Sequence, residues 1–262
     1  MSLSELDRGG AFRAQRTEVL DFCEPLTAEE WRTASRAEGW SIQDVVAHMG
    51  AGVHSMFGPA VTKLLLGKDI EKLNDEMVGI RRDRSPDQVL SEYRRWTGVF
   101  ANVMPPLAST PLGAMRLPLS ELGGFPMRLF LSALVFDTYT HLRYDIAPAL
   151  GRPVGEVDAN RIAVSLEWMM AVLSNQLRAA RPAWLDRPLS INLTGPGGGA
   201  WSVEPSGSVT PGVAASAAAV ITGRAAQFPE WGTRRAPWRE REVGITGDAE
   251  YGAAFLDEMN IV

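Results

Sequence analysis

One cysteine, three histidines and three lysines stand in a chain of 262 residues. A single thiol, Cys23, closes no disulfide within the chain. Its place between Phe22 and Glu24, at the end of an amphipathic stretch, reads as a buried structural thiol, because free cysteine is among the most buried residue types. No apolar run reaches the roughly 18 residues of a membrane-spanning helix, and no basic segment followed by a short apolar one reads as a secretory leader. The expected location is therefore the cytoplasm, with no membrane partner. With only Lys63, Lys68 and Lys72, arginine makes up 23 of the 26 basic residues, a bias of GC-rich bacterial genomes. Clustered basic surface is missing too: the net charge is -5 and the pI near 5.4, which opposes a nucleic-acid partner.

What is present is ordinary for a soluble globular protein, with 45% hydrophobic and 22% charged residues and a mean hydropathy of -0.06. At about 150 residues per domain, the length predicts two domains. Helical signals run up to Pro182. A first helix spans Leu6 to Phe22, weakened at its start by Gly9-Gly10. Ser41, with Asp44 three residues on, caps a second helix through Val45, Val46, His48 and Met49 that ends before Gly58-Pro59, with a further turn from Val61 to Leu66. Ser85-Pro86 starts a third helix carrying Val89, Leu90, Tyr93, Trp96 and Phe100, and Pro105-Pro106 is expected to stop it. Pro126 is expected to open a fourth helix running to about Leu150, before Gly151. Asp158 caps a fifth, from Ala159 to about Ala180, ended by Pro182. Long helices with connections of varied length point to a bundle whose functional side chains project inward from facing helices.

After Pro182 the pattern changes. Leu189, Ile191 and Leu193 alternate with Ser190, Asn192 and Thr194 as in a half-buried strand, and Trp201 with Val203 reads as its return. The GPGGGA run between them lacks the Lys-Ser/Thr of a phosphate loop and reads as a hairpin turn. Ala214 to Ile221 is expected to form a small helix, Val243 to Thr246 a strand, and the residues after Gly247-Asp248 a final helix to about Met259. The expected boundary lies near residue 183.

The scarce histidines carry the chemistry. Asp137, His141 and Asp145 recur at four-residue spacing in FDTYTHLRYDI, so one face of an apolar helix presents carboxylate and imidazole together. Two imidazoles and one carboxylate leave coordination positions open, the pattern of a catalytic rather than a structural metal site. The plainer reading is a solvated or ion-paired face involving Arg143, and burial decides between the two. Asp44, one turn before His48, and Asp145 are candidate orienting partners for the imidazoles. His54, six residues after His48, faces away on a continuous helix.

GWSIQDVVAHM, then FDTYTHLRYDIAPALGRP, then an INLTG…WSV…ITGR tail resemble the mycothiol-dependent maleylpyruvate isomerase family. The resemblance covers nearly the whole chain and is looser in the tail. It implies a two-domain α+β protein: a DinB-like metal-binding four-helix bundle with extra helices over residues 1–182, and a small α+β domain similar to sterol carrier protein type-2 folds over residues 183–262. It implies a divalent metal, with zinc the expected ion, held by His48, His141 and Asp137, the last matching a family glutamate one methylene longer. It implies mycothiol as the second cofactor and a small-molecule substrate. The metal would hold the thiol as thiolate, which adds to a conjugated cis double bond, allows rotation and is eliminated from the trans product, or is transferred to an electrophile. An arginine of the C-terminal domain would bind an anionic substrate, and Arg224 is the candidate, with Arg234, Arg235 and Arg241 as alternatives. Two further readings stay open: a metal enzyme of this scaffold using another thiol or none, and a non-catalytic small-molecule binding protein.

Overall fold

Ser41, Ser85 and Asp158, the residues read as helix starts, each close a cap in the computed structural model, which describes residues 6–261. Each side-chain oxygen accepts the backbone N–H three residues on, satisfying a donor that the first helical turn leaves unpaired. The described residues form two compact units, one of residues 8–156, the other of residues 157–261 together with residues 6 and 7.

The first unit contains α1 (Arg8–Cys23), α2 (Ala28–Arg32), α3 (Ile42–Ser55), α4 (Val61–Leu66), α5 (Ile70–Gly79), α6 (Pro86–Ala108), the short strands β1 (Arg116–Pro118) and β2 (Gly124–Pro126), and α7 (Leu129–Thr140). Helix α3 packs on α6 and α7, and α1 packs on the same two, so the four close a ring. Ile42, Val45, Val46 and Met49 of α3 meet Val89 and Tyr93 of α6 in the core, with Leu142 and Ile146 beyond α7. Burying each such side chain contributes about 1.5–3 kcal/mol. Gly50 lets the α3 and α6 backbones come close: a Cβ there would lie 3.2 Å from the Tyr93 backbone nitrogen and Cα. Cys23 is fully buried, as expected.

Two proline readings change. Pro126 does not open a helix, because Gly124–Pro126 pairs antiparallel with Arg116–Pro118, and α7 starts at Leu129. Its expected end is right: α7 passes into a wide π-helical turn, His141–Ile146, then a tight turn at Pro148–Leu150, closed by Gly151 in the left-handed conformation at φ +61°. Pro105 and Pro106 do not stop α6 but lie in its last turn. Pro105 has no N–H for the carbonyl of Ala101, four residues back; that oxygen accepts instead from Arg13 Nη1 at 3.5 Å.

The second unit contains α8 (Ala159–Ala180), β3 (Leu189–Thr194), β4 (Gly199–Val203), β5 (Val209–Pro211), β6 (Ala219–Arg224), α9 (Phe228–Gly232), β7 (Gly244–Gly247) and α10 (Ala249–Glu258). The sheet order is β5-β4-β3-β6-β7, with β3 and β6 parallel and all other neighbours antiparallel. Residues 195–198 form the expected hairpin turn between β3 and β4. The division between the units falls at 156/157, whereas the sequence reading puts it near 183. Helix α8 sits with the sheet: Ser174 Oγ donates to the Gly207 carbonyl at 3.3 Å and accepts from Val209 N–H at 3.2 Å. The helix expected over Ala214 to Ile221 is not formed. Ala219–Arg224 is instead a strand in register with β3, Leu189 opposite Ala219 and Ile191 opposite Ile221. Alanine propensity is a weak preference, and pairing at the centre of a sheet overrides it. Ser190 is likewise buried rather than half-exposed, because β3 is the central strand; its hydroxyl accepts from Ala214 N–H at 2.9 Å.

Candidate metal centre

His48 lies in the second turn of α3, Asp137 in the last turn of α7, and His141 at the start of the π turn. The α3–α7 contact brings the three together. Asp137 Oδ1 is 3.2 Å from His48 Nε2 and 3.5 Å from His141 Nε2. One ligand atom from each residue lies within 4.8 Å of the other two. The imidazole side chains are 10% and 12% exposed and the Asp137 side chain 30%, so the cluster opens to solvent on its carboxylate side.

Burial alone would push the Asp137 carboxyl up, but the charges and hydrogen bonds of His48 and His141 outweigh it and hold the group well below the usual carboxylate range. Burial alone would push His141 down; hydrogen bonds and charge from Asp137 and then Asp145 raise it instead to about 9. A carboxylate only accepts, so His141 donates Nδ1–H to Asp145 Oδ2 at 2.7 Å. Asp44, the other candidate orienting partner, does something else. It accepts the backbone N–H of Ser41 at 2.9 Å, completing the α3 cap, and pairs with Arg82 at 3.5 Å. His48 Nδ1 is buried without a hydrogen-bond partner among the described residues.

Trp40, just ahead of the cap, lies in the GWSIQDVVAHM segment that carries the family resemblance, but sequence reasoning assigned it no role at the centre. Its ring centroid lies 5.1 Å from that of His48 and 6.4 Å from that of His141, and its Nε1–H donates to Asp75 of α5 at 3.0 Å. The available signal was an aromatic residue immediately before the N-cap of the helix that carries His48. His54 is apart from the centre, as expected, and belongs to a second polar cluster that the sequence did not reveal. It stacks on Trp96 with centroids 4.2 Å apart and donates Nδ1–H to Glu92 Oε1 at 2.6 Å. Glu92 also accepts from Arg81 Nε and Nη2 and from Arg84.

In the second unit, Arg224 ends β6 with an exposed side chain paired to Glu242. Of its alternatives, Arg234 donates to the carbonyls of Met259 and Asp257, Arg241 grips Glu230 through two nitrogens, and Arg235 donates to Thr233 Oγ1 at 3.1 Å.

A buried pair of imidazoles around one carboxylate, on facing helices of a four-helix ring, is the feature to set beside known proteins. The family model for the mycothiol maleylpyruvate isomerase N-terminal domain matches residues 12–143, half of the chain. The chain belongs to this family. All three residues of the centre fall inside the matched segment. No curated protein matches the sequence. Two crystal structures are similar over 94% of this chain and 93% of theirs, each at 14% identity: the mycothiol-dependent maleylpyruvate isomerase, with a TM-score of 0.58, and a histidine-to-alanine mutant of the mycothiol-dependent maleylpyruvate isomerase, with a TM-score of 0.57. At that identity the likeness is one of fold, and it spans both the helical and the sheet-containing part. No helix among the described residues is long and apolar enough to cross a membrane.

Proposed function

We propose that this member of the mycothiol maleylpyruvate isomerase family is a metal-dependent isomerase. His48, Asp137 and His141 would hold one divalent ion, and mycothiol would serve as the thiol in a cis–trans isomerisation of a maleylpyruvate-like substrate. The convergence of two imidazole Nε2 atoms on one carboxylate oxygen carries the reading. Ligand atoms about 2.0–2.1 Å from a tetrahedral zinc ion stand about 3.4 Å from one another, and the two distances from Asp137 Oδ1 are 3.2 and 3.5 Å. The donor set thus fits a divalent ion of this kind, and three protein ligands leave positions for exogenous groups.

A bound divalent ion lowers the pKa of a coordinated thiol and keeps it as thiolate near neutral pH. The protein's own thiol is no substitute, because Cys23 is fully buried and burial pushes it up to about 12. The nucleophilic sulfur therefore has to come from outside. Mycothiol held there would supply a thiolate for reversible addition to a conjugated cis double bond, which would free rotation and return the thiol unconsumed. Asp137 would supply the negative charge of the ligand set on its solvent-facing side, and Trp40 packs beside the two imidazoles. Arg224 is proposed as the bidentate partner of a substrate carboxylate, a part of the reading that rests on family resemblance.

The test is elemental analysis of the purified protein together with an isomerisation assay run with mycothiol and with other low-molecular-weight thiols. A bound divalent metal is expected, with mycothiol-dependent turnover lost in His48→Ala and His141→Ala, kept in His54→Ala, and shifted to higher KM in Arg224→Ala. Protein without metal, with turnover unchanged in both ligand variants, refutes the reading. Stoichiometric loss of free thiol would redirect it to S-transfer.

A further inference from the structure

We propose that Asp145 is the positioning residue of this centre: by holding His141 through Nδ1 it sets how tightly His48, Asp137 and His141 grip a divalent ion. The inference rests on the metal reading above and deepens it.

Asp145 is 2% exposed. A carboxylate buried to that degree is costly unless a partner compensates it. One partner is His141 Nδ1, 2.7 Å from Asp145 Oδ2. Donating there fixes the ring and aims Nε2 at Asp137, the orientation a metal-ligating imidazole takes when a carboxylate holds its far side. The backbone supports the arrangement. His141–Ile146 forms a π turn, in which Ala147 N–H reaches back five residues to the Leu142 carbonyl at 3.0 Å. Such turns are rare and concentrate at functional sites. The Asp145 carbonyl also accepts the backbone N–H of Arg36 at 3.0 Å, which ties the turn to the segment leading into Trp40 and Ser41. One piece of main chain thereby positions both the carboxylate behind His141 and the tryptophan beside both rings.

The second imidazole is held differently. His48 Nδ1 has no hydrogen-bond partner among the described residues, and the acid one turn before it, Asp44, is engaged by the α3 cap and Arg82. Packing against Trp40 orients His48 instead. The geometry therefore assigns the orienting role to one of two similarly spaced aspartates, and it makes a differential prediction.

The experiment uses the full chain as wild type, Asp145→Asn, Asp145→Ala and Asp44→Asn. Zinc affinity is measured by competition with a chromophoric chelator and cobalt coordination by the visible absorption of the cobalt-loaded protein. Circular dichroism of the metal-free samples sets the folded fraction. Loss of an outer partner of a metal-bound histidine typically weakens metal affinity about 10–100-fold. That loss is expected for Asp145→Ala, with a smaller one for Asp145→Asn, which keeps an acceptor for Nδ1–H, and with altered cobalt bands in both. Asp44→Asn is expected to match the wild type. If the alanine variant does not fold, the isosteric asparagine variant decides. Asp145 variants that bind zinc as tightly as wild type with unchanged cobalt bands overturn the proposal while leaving the metal reading intact, since a purely structural ion pair predicts that result. A wild type that binds no zinc, or a His48→Ala variant that binds as tightly as wild type, overturns the metal reading and this proposal with it.

Discussion

Replacing Glu92 by glutamine should destabilise the helical unit by about 3 kcal/mol at neutral pH, and the loss should vanish in acid. Glu92 is 8% exposed and Arg81 7%, so this is a desolvated pair. Arg81 donates Nε to Oε2 at 2.8 Å and Nη2 to Oε1 at 2.7 Å, a two-point fork, while its Nη1 is spent on the Met77 carbonyl at 2.7 Å. His54 and Arg84 add to the same carboxylate. Burial alone would raise the Glu92 carboxyl; the hydrogen bonds of Arg81 and His54, with the charges of Arg81 and Arg84, outweigh it and bring the group from 4.5 down to about 2. At 1.36 kcal/mol per pH unit of displacement that is worth about 3 kcal/mol. Breaking one partner out of a buried ion pair costs about 3–5 kcal/mol, an independent figure of the same size.

The direction with pH follows from the depression. The folded-state value lies below the unfolded one, so the contribution is whole above about 4.5 and is lost as pH falls towards 2. Urea titrations of wild type and Glu92→Gln, read by circular dichroism at pH 7 and at successively lower pH, measure it. In a chain of this size about 3 kcal/mol corresponds to a melting temperature lower by about 6–12 °C. Equal stability at pH 7, or a difference that persists unchanged at pH 2, would refute the reasoning.

Two further outcomes follow from the packing. Gly195 and Gly197 share the β3–β4 turn and both adopt positive φ, +92° and +75°, but a Cβ on Gly195 meets nothing within 4 Å whereas one on Gly197 lies 2.3 Å from the Ala159 carbonyl oxygen. Gly195→Ala should therefore cost only the left-handed penalty of about 1–2 kcal/mol, and Gly197→Ala clearly more; equal values in urea unfolding would contradict the clash. Cys23, fully buried with its thiol raised to about 12, should resist a thiol-specific reagent in the native protein and react promptly in denaturant, and rapid native labelling would show that α1 opens far more readily than its packing implies.

How far these features could be read in advance depended on how local they are. A cap is a local event: Ser41, Ser85 and Asp158 bond to a residue three positions on, so the helix starts were legible. The step from Asp137 to His141 is local as well. The prolines of α6 misled because a distant group, Arg13, reaches the carbonyl that Pro105 leaves free, and the alanine-rich stretch ending in β6 misled because its partner strand lies thirty residues earlier. The step from His141 to Asp145 is local too, so Asp145 was legible as a candidate orienting partner, whereas the π turn that carries it has no sequence period of its own and was not.

The two histidines of α3 show the limit most clearly. They stand six residues apart on one helix, and each has a carboxylate within 3.2 Å. The difference lies in what else that carboxylate meets. Glu92, beside His54, is already shared between the guanidiniums of Arg81 and Arg84, so its charge is compensated and its oxygens are occupied. Asp137, beside His48, has a second imidazole as its other close neighbour and is the more exposed member of the cluster. Imidazoles, unlike guanidiniums, can give up their protons and become ligands themselves. A carboxylate flanked by two of them retains the charge and the neighbours that a divalent cation needs, and what separates the one histidine from the other is that His48 meets a carboxylate of α7 and His54 one of α6.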